Sequence, residues 1–124
     1  MPTRKVVDAS VVAAAIFHEP RDQEALGLLV DSDLYAPLLL PWELSNIAWK
    51  KARRRPAESA TVLLALQEGL KMSISLVEVD HAGAVRLGLE TGLSSYDASY
   101  LYLSRIMTAP LVTFDAKLLA VLRA

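Results

Sequence analysis

Short apolar runs alternate along the chain with longer segments whose apolar residues recur at helical spacing. The short runs predict four buried β-strands, at residues 5–7, 34–36, 75–79 and 111–114. The longer segments predict seven helices, at residues 10–17, 21–30, 41–54, 58–72, 80–90, 95–107 and 115–123. Strands that alternate with helices are typical of an α/β fold with a mainly parallel sheet and helices on both faces. We therefore expect a single domain over residues 1–124, with about four to five short strands.

Composition narrows the chemistry that is open to this chain. It has no cysteine, which excludes disulfides, thiolate metal sites and cysteine nucleophiles and favours a reducing cytoplasm. The formal net charge of −1 lacks the basic excess of obligate duplex binders, although a local basic patch can still bind nucleic acid. No apolar run approaches the roughly 18 residues of a membrane span, and the N-terminus does not resemble a signal peptide. We expect a cytoplasmic protein with no membrane partner.

Four acidic residues stand in unusually apolar surroundings. They are Asp8, Glu43, Asp97 and Asp115, in the segments VVDASVV, PWELSN, SSYDASY and VTFDAKL. Asp8 and Asp115 directly follow predicted strands, and functional sites of α/β folds gather at the carboxyl ends of strands. Because burying an isolated carboxylate is unfavourable, each of these acids needs a hydrogen-bond donor, a cation or a metal.

Helix capping is a purely structural explanation for three of these acids. Asp8 and Asp115 lie at strand-to-helix junctions, where an N-cap aspartate is ordinary. Asp97 follows Ser94 by three positions, which is the spacing of a capping box. Glu43 has no such explanation, and its structural alternative is an exposed helix face. Taken singly, capping is the better explanation for the three aspartates.

The combination of four acids favours a metal site. Several carboxylates in one pocket repel one another unless a cation neutralises them, and ligands that are all oxygen select hard cations such as Mg²⁺ or Mn²⁺. The two histidines, His18 and His81, lack the spacing of metal ligands, which argues against zinc. We expect both histidines at the surface or at helix ends.

The order and spacing of these residues resemble the PIN-domain ribonucleases, in particular the VapC-type toxins of toxin–antitoxin pairs, over nearly the whole chain. The family has D-x-S after its first strand, a glutamate after a proline-containing loop, an aspartate at the start of a late helix, and T-x-D after the last strand. The matching positions are Asp8, Ser10, Glu43, Asp97, Thr113 and Asp115. The resemblance implies a PIN-like fold and metal-dependent cleavage of RNA phosphodiester bonds. It also implies a homodimer and a VapB-like antitoxin.

The same resemblance implies a role for each matching residue. Asp8, Glu43 and Asp97 would be the main ligands of Mg²⁺ or Mn²⁺, and Asp115 would complete the acidic pocket at a second metal or its surroundings. The hydroxyl groups of two further residues would bind water or hold the carboxylates in place. These two residues are Ser10 and Thr113.

A basic run, KKARRR at residues 50–55, ends the third predicted helix. Lys50 and Arg54 fall nearly on one helical line with Glu43, at about 10 Å and about 16 Å from it. We predict that these two cations guide RNA phosphates toward the acidic pocket. A solvated helix end and a contact with acidic residues of the antitoxin are the alternatives.

Two apolar segments allow more than one interpretation. The segment 62–70 contains Val62, Leu63, Leu64, Leu66 and Leu70, which favours core packing first. An antitoxin groove shared with the helices at 10–17 and 21–30 is the second interpretation. The segment 100–106, with Tyr100, Leu101, Tyr102, Leu103 and Ile106, is a candidate dimer face.

Three other functions compete with a ribonuclease. A receiver-type signalling domain has similar length and class, but it needs adjacent acids after the first strand and an acceptor aspartate after the third, which this chain lacks. A PIN-like domain kept only for binding would be expected to lose some of its acids, and all four are present. DNA in place of RNA stays open, because the sequence shows no aromatic stacking platform of the kind that single-strand binders use.

Overall fold

All four predicted strands are present in the structure, a computed structural model that describes residues 2–124. They are β1 (Thr3–Val7), β2 (Ser32–Pro37), β3 (Ile74–Val77) and β4 (Leu111–Val112). They form one sheet in the order β3-β2-β1-β4, and every pair is parallel. The α/β fold with a parallel sheet is thereby confirmed.

Seven α-helices cover the sheet, as the apolar spacing predicts. They are α1 (Ala9–Ile16), α2 (Asp22–Leu29), α3 (Leu40–Arg54), α4 (Ser59–Gly69), α5 (His81–Thr91), α6 (Ser95–Met107) and α7 (Ala116–Arg123). A short 3₁₀ helix, Pro56–Glu58, separates α3 from α4, since a proline interrupts a continuous helix. Within residues 2–124, none of the helices has both the length and the apolar character that a membrane crossing requires.

β1 is an inner strand, and this places its last residue at the centre of one sheet edge. Val6 pairs with Tyr35 of β2 on one side and with Leu111 of β4 on the other. Val6 and Val7 are fully buried, which explains why this strand has no polar alternation. The loops that follow β1, β2 and β4 therefore converge on one region above the sheet.

The candidate dimer face on α6 is mostly core, so that prediction is wrong for most of its residues. Tyr100, Leu101 and Leu103 are 1%, 2% and 3% exposed, and Tyr102 is half-buried. Ile106 alone among the five is exposed. The segment is apolar because α6 packs on β1 and β2 with one face and on α5 with another.

The core interpretation of α4 is also wrong for most of its leucines. Val62 is buried and Leu66 packs against the core, but Leu63, Leu64 and Leu70 are about half exposed. α4 packs mainly against α3 and α1 and also contacts the 3₁₀ helix Pro56–Glu58, and its outer side is exposed. A solvent-exposed apolar side on a helix is a feature of partner-binding surfaces.

Candidate active site

Asp8 is buried at the carboxyl end of β1, where it is 5% exposed. It is the N-cap of α1: its Oδ1 accepts hydrogen bonds from the backbone N–H of Ser10 at 3.0 Å and from the Ser10 hydroxyl. Its Oδ2 accepts the hydroxyl proton of Thr113 at 2.8 Å. The predicted capping role is therefore confirmed, and both carboxylate oxygens are held in a fixed orientation.

Two hydroxyl groups connect Asp8 to the loop after β4. The Ser10 hydroxyl oxygen accepts the N–H of Phe114 at 2.9 Å, and the Thr113 hydroxyl oxygen accepts the N–H of Asp115 at 2.9 Å. Each hydroxyl thus donates to Asp8 and accepts from the 113–115 backbone. This arrangement places Asp115 near Asp8 although the two are far apart in the sequence.

Asp115 is the N-cap of α7, whereas Asp97 lies in the first turn of α6. Asp115 caps α7 by accepting the N–H of Leu118 at 3.0 Å. At α6, Ser94 accepts the N–H of Asp97 at 3.2 Å, but among residues 2–124 no donor is hydrogen-bonded to the Asp97 carboxylate. The capping box is therefore only half formed, and the Asp97 carboxylate is available for another ligand.

Glu43 lies in the first turn of α3 and is held by a residue that the sequence did not single out for the site. The Tyr100 hydroxyl donates to Glu43 Oε1 at 2.6 Å. Tyr100 is almost fully buried and lies on α6 one turn after Asp97, so the two side chains share a face of that helix. The spacing of Tyr100 from Asp97 was the available signal, whereas its apolar neighbours favoured a dimer face.

The four acids act on one another electrostatically. Burial raises the pKa of Glu43 most strongly, and the negative charges of Asp97, Asp8 and Asp115 raise it further. The hydrogen bond from Tyr100 opposes this shift. Since like charges raise a pKa only at short range in water, these carboxylates share one region.

Burial is also the largest cause of the raised pKa values of Asp8 and Asp97. Burial raises the pKa of Asp8, and the hydrogen bonds from Ser10 and Thr113 only partly offset it. Burial and then the charge of Asp115 raise the pKa of Asp97, against a smaller opposing effect of Lys117. The pocket therefore carries negative charge that the surrounding side chains do not balance.

The acidic pocket suits a hard divalent cation in its donor chemistry. The side chains of the four acids offer only carboxylate oxygens, and a cation would relieve their mutual repulsion. Within residues 2–124, no three or more histidine, aspartate or glutamate side chains form a group that could hold a metal ion as these side chains are placed. His18 and His81 are exposed, as predicted. The Nδ1 atom of His18 lies 3.8 Å from Oδ2 of Asp22.

A row of cations leads away from the acidic pocket along α3. Lys50 lines a cavity of about 410 Å³ with Glu43, and a second cavity of about 520 Å³ with Ser10, Arg21 and Arg54. Neither Lys50 nor Arg54 forms an ion pair with a residue of the described chain. The predicted alignment of these two cations with Glu43 is present in the fold.

Comparison with known families identifies the fold. Residues 5–123 match the family described as "PIN domain". The chain belongs to the PIN-domain family. This assignment excludes the receiver-type alternative, and it accounts for the position of all four acids at one edge of the sheet.

Curated relatives place this PIN domain among the VapC-type members. It is 32% identical to "Ribonuclease VapC3" of Pyrobaculum aerophilum over 118 residues, which covers 91% of this chain and 90% of that protein. It is 32% identical to "Exonuclease VapC9" of the same organism, covering 97% of this chain and 86% of the relative. It is 30% identical to "VapC ribonuclease Mb0985" of Mycobacterium bovis, covering 91% and 87%.

Solved structures agree with this assignment. The crystal structure of PAE2754 from Pyrobaculum aerophilum superposes on this PIN domain with a TM-score of 0.77 at 30% identity, covering 98% of this chain and 87% of that one. VapC20 of Mycobacterium tuberculosis, described as a "Sarcin-Ricin loop cleaving toxin", has a TM-score of 0.66 at 17% identity, covering 94% and 93%. The second likeness supports the fold alone.

Proposed function

We propose that this PIN domain is a metal-dependent ribonuclease that cleaves RNA phosphodiester bonds and acts as the toxin of a VapBC-type pair. The observation that supports this most strongly is the shared pocket of Asp8, Glu43, Asp97 and Asp115, because its mutual repulsion has no structural use. The relatives named as VapC ribonucleases support the substrate. The test is incubation of the purified chain with RNA in Mg²⁺, in Mn²⁺ and in EDTA, beside Asp8→Asn.

The four carboxylates would hold Mg²⁺ or Mn²⁺, with Asp8, Glu43 and Asp97 as the main ligands and Asp115 completing the pocket. A divalent cation there would polarise the phosphoryl group and lower the pKa of the attacking water. The chain itself supplies fixed ligand orientations before the cation arrives. The Ser10 and Thr113 hydroxyls orient the two oxygens of Asp8, and the Tyr100 hydroxyl orients Glu43 Oε1.

Tyr100 should tune the metal affinity of the pocket without touching the substrate. In Tyr100→Phe, Glu43 loses the one side-chain hydrogen bond that orients it within residues 2–124, and its pKa rises because that bond lowers it. We expect roughly 10- to 100-fold weaker Mn²⁺ binding, the usual effect of removing a group that orients a metal ligand. Isothermal titration with Mn²⁺ measures this.

The matched control for this variant is Tyr102→Phe on the same helix, because Tyr102 packs against Gly83 and has no bond to an acid. The acidic side of the pH–rate profile should move to higher pH in Tyr100→Phe alone. Equal Mn²⁺ affinities in the two variants would show that Tyr100 is only a packing residue.

Lys50 and Arg54 would receive RNA phosphates on the way to the acidic pocket. In the double variant Lys50→Glu with Arg54→Glu, we expect weaker RNA binding and a salt dependence that is shallower by about 1.4 in log–log slope, about 0.7 for each phosphate contact on single strands. Fluorescence anisotropy over a range of salt concentrations measures the slope.

The control is the double variant Arg105→Glu with Arg123→Glu, which changes the net charge by the same amount. Arg105 lies in the last turn of α6 and Arg123 in the last turn of α7. The control should keep the wild-type slope. If both double variants have the same affinity and slope as each other, the row on α3 does not guide RNA.

The mode of cleavage and the nature of the strand need separate measurements. VapC9 of Pyrobaculum aerophilum is named an exonuclease, whereas other relatives are named ribonucleases. RNA labelled at the 5′ end and RNA labelled at the 3′ end distinguish internal cleavage from removal of terminal nucleotides. Single-stranded DNA of the same sequence in the same assay separates the two nucleic acids.

We further propose that the exposed apolar side of α4 binds the VapB-like antitoxin. Leu63, Leu64 and Leu70 are exposed there, and Leu26 and Val30 are exposed on α2 and at its end. α1 packs against both α2 and α4. A homodimer is also proposed from the family resemblance, with a surface other than the buried face of α6. We propose a cytoplasmic location, since that is where the RNA targets of such a toxin are found.

A further inference from the structure

Two exposed aromatic side chains stand beside the acidic pocket. Trp42 directly precedes Glu43 and is 76% exposed, and Tyr96 directly precedes Asp97 and is 63% exposed. Both line the same cavity of about 410 Å³, together with Glu43. Burial of a large aromatic ring is favourable. Two rings that stay exposed at the entrance of a polar site are therefore typical of a ligand-binding surface.

α3 adds two polar groups to the cavity in a regular row. Asn46 and Lys50 follow Trp42 by one and two helical turns, and both line the cavity. The row therefore presents an indole face, an amide and an ammonium group in sequence. These groups match the three parts of a nucleotide, because bases stack on aromatic rings, base edges bond to amides, and phosphates pair with cations.

We propose that Trp42 and Tyr96 form a stacking platform for unpaired bases of RNA next to the phosphate that reaches Glu43 and Asp97. This inference rests on the proposed ribonuclease function and adds two side chains that would hold unpaired bases beside the acidic pocket. A base inside a duplex has both faces stacked already and is not free to lie on the platform. Duplex RNA is therefore a poor ligand for this cavity.

The charges of the cavity favour RNA over a protein surface. An apolar protein face placed on Trp42 and Tyr96 would remove water from Glu43 and Lys50 without pairing them, which is unfavourable. RNA offers π-faces for the rings and a phosphate for Lys50. The other tryptophan, Trp49, is different: it lies outside this cavity, and the Arg53 guanidinium lies over its ring at 5.1 Å.

Tryptophan fluorescence tests the platform directly, because the chain has two tryptophans. In Trp49→Phe the emission comes from Trp42, and in Trp42→Phe it comes from Trp49. A single-stranded oligoribonucleotide, titrated in EDTA to prevent metal-dependent cleavage, should quench the emission of Trp42 more strongly than that of Trp49, which lies beside Lys50 and Arg54. A duplex of the same sequence should quench neither.

Affinity measurements provide the second readout. Trp42→Ala should bind single-stranded RNA about 5- to 100-fold more weakly, the range expected for the loss of one stacked base. Trp42→Phe and Tyr96→Phe keep a ring and should stay near wild type, whereas Tyr96→Leu should weaken binding. Trp49→Ala is the comparison variant: Trp49 lies in a different cavity, beside Lys50 and Arg54, so its loss should weaken binding less than the loss of Trp42. Because Trp42 is exposed, its replacement should leave the fold intact, and circular dichroism checks this.

Failure of the platform and failure of the ribonuclease function are distinguishable. RNA cleavage in Mg²⁺ with no quenching of Trp42 and no loss of affinity in Trp42→Ala would overturn the platform alone. Quenching and binding without cleavage in Mg²⁺ or Mn²⁺ would support the platform and overturn the nuclease. If Trp42→Ala instead reduces the mass of an oligomer in sedimentation and leaves RNA affinity unchanged, the rings belong to an interface between copies and the platform is wrong.

Discussion

Asp8→Asn should lower RNA cleavage in Mg²⁺ or Mn²⁺ by roughly 1,000-fold while the chain stays folded. A divalent cation contributes several kcal/mol to the stabilisation of a phosphoryl-transfer transition state, and about 1.4 kcal/mol corresponds to a factor of ten in rate. Asp8 is the most buried of the four acids and both of its oxygens are oriented, so its loss should affect the bound cation most. Cleavage of labelled RNA under single-turnover conditions measures the effect.

The fold should tolerate this change because most of the hydrogen bonds of Asp8 survive. The Asn oxygen still accepts the N–H of Ser10, so α1 keeps its cap. The new amide N–H₂ group faces the Thr113 hydroxyl. The hydroxyl oxygen must then accept a hydrogen bond from this amide, whereas in the wild type the hydroxyl donates to Asp8 Oδ2. A neutral amide also avoids the unfavourable burial of charge that raises the pKa of Asp8.

Asp33→Asn is the matched control, since it makes the same chemical change at an exposed position of β2. It should cleave RNA like the wild type. Wild-type cleavage that persists in EDTA, or an Asp8→Asn variant within about tenfold of wild type, a difference of only about 1.4 kcal/mol, would contradict a metal held by Asp8.

The sequence predicted the secondary structure well because apolar periodicity is a local property. The buried run at 5–7 and the helix at 95–107 appear in the structure as β1 and α6 with nearly the same bounds. The four acids could also be predicted as one site, since parallel strands present their carboxyl ends at one edge. The strand predicted at 111–114 is shorter because Thr113 leaves the sheet to bond Asp8.

Contacts between distant segments could not be predicted from periodicity. A helical pattern shows that residues share a face but not which neighbour that face meets. Tyr100 therefore looked like part of a surface, whereas α6 places its hydroxyl against Glu43. Trp42 and Tyr96 are far apart in the sequence, so the sequence showed no stacking platform, although the two rings line one cavity in the fold. The exposure of Leu63 likewise depends on which elements pack against α4 in the fold, and the sequence pattern does not show this.

The affinity of the acidic pocket for Mg²⁺ should rise steeply with pH across the mildly acidic range. A metal binds carboxylates only after their protons leave. The pKa values of Asp8, Glu43 and Asp97 are raised above their ordinary values of 3.8, 4.5 and 3.8, so the protons are retained to higher pH than in a free side chain. Each proton that the metal displaces adds up to about a tenfold change in affinity per pH unit.

The stability of the metal-free chain should change in the opposite direction. An acid with a raised pKa in the folded state holds a proton that the unfolded chain has already released, so the free energy of unfolding falls as the pH rises from the ordinary value through the raised value. Stabilisation by the cation grows over the same range. The difference in melting temperature between chain in Mg²⁺ and chain in EDTA should therefore widen from about pH 5 to about pH 8.

Asp97→Asn separates this effect from other titrations of the chain. Its carboxylate accepts no hydrogen bond in the structure, so the neutral variant loses no cap and relieves the repulsion with Asp115. Without metal, the variant should have a higher melting temperature than wild type at about pH 8, because the ionised Asp97 destabilises the metal-free fold. The variant should gain little stability from Mg²⁺, because it lacks one carboxylate ligand. Thermal unfolding of both proteins at both pH values checks this. Equal stabilisation of wild type and Asp97→Asn by Mg²⁺ would mean that Asp97 is not a metal ligand, whatever raises its pKa in the metal-free chain.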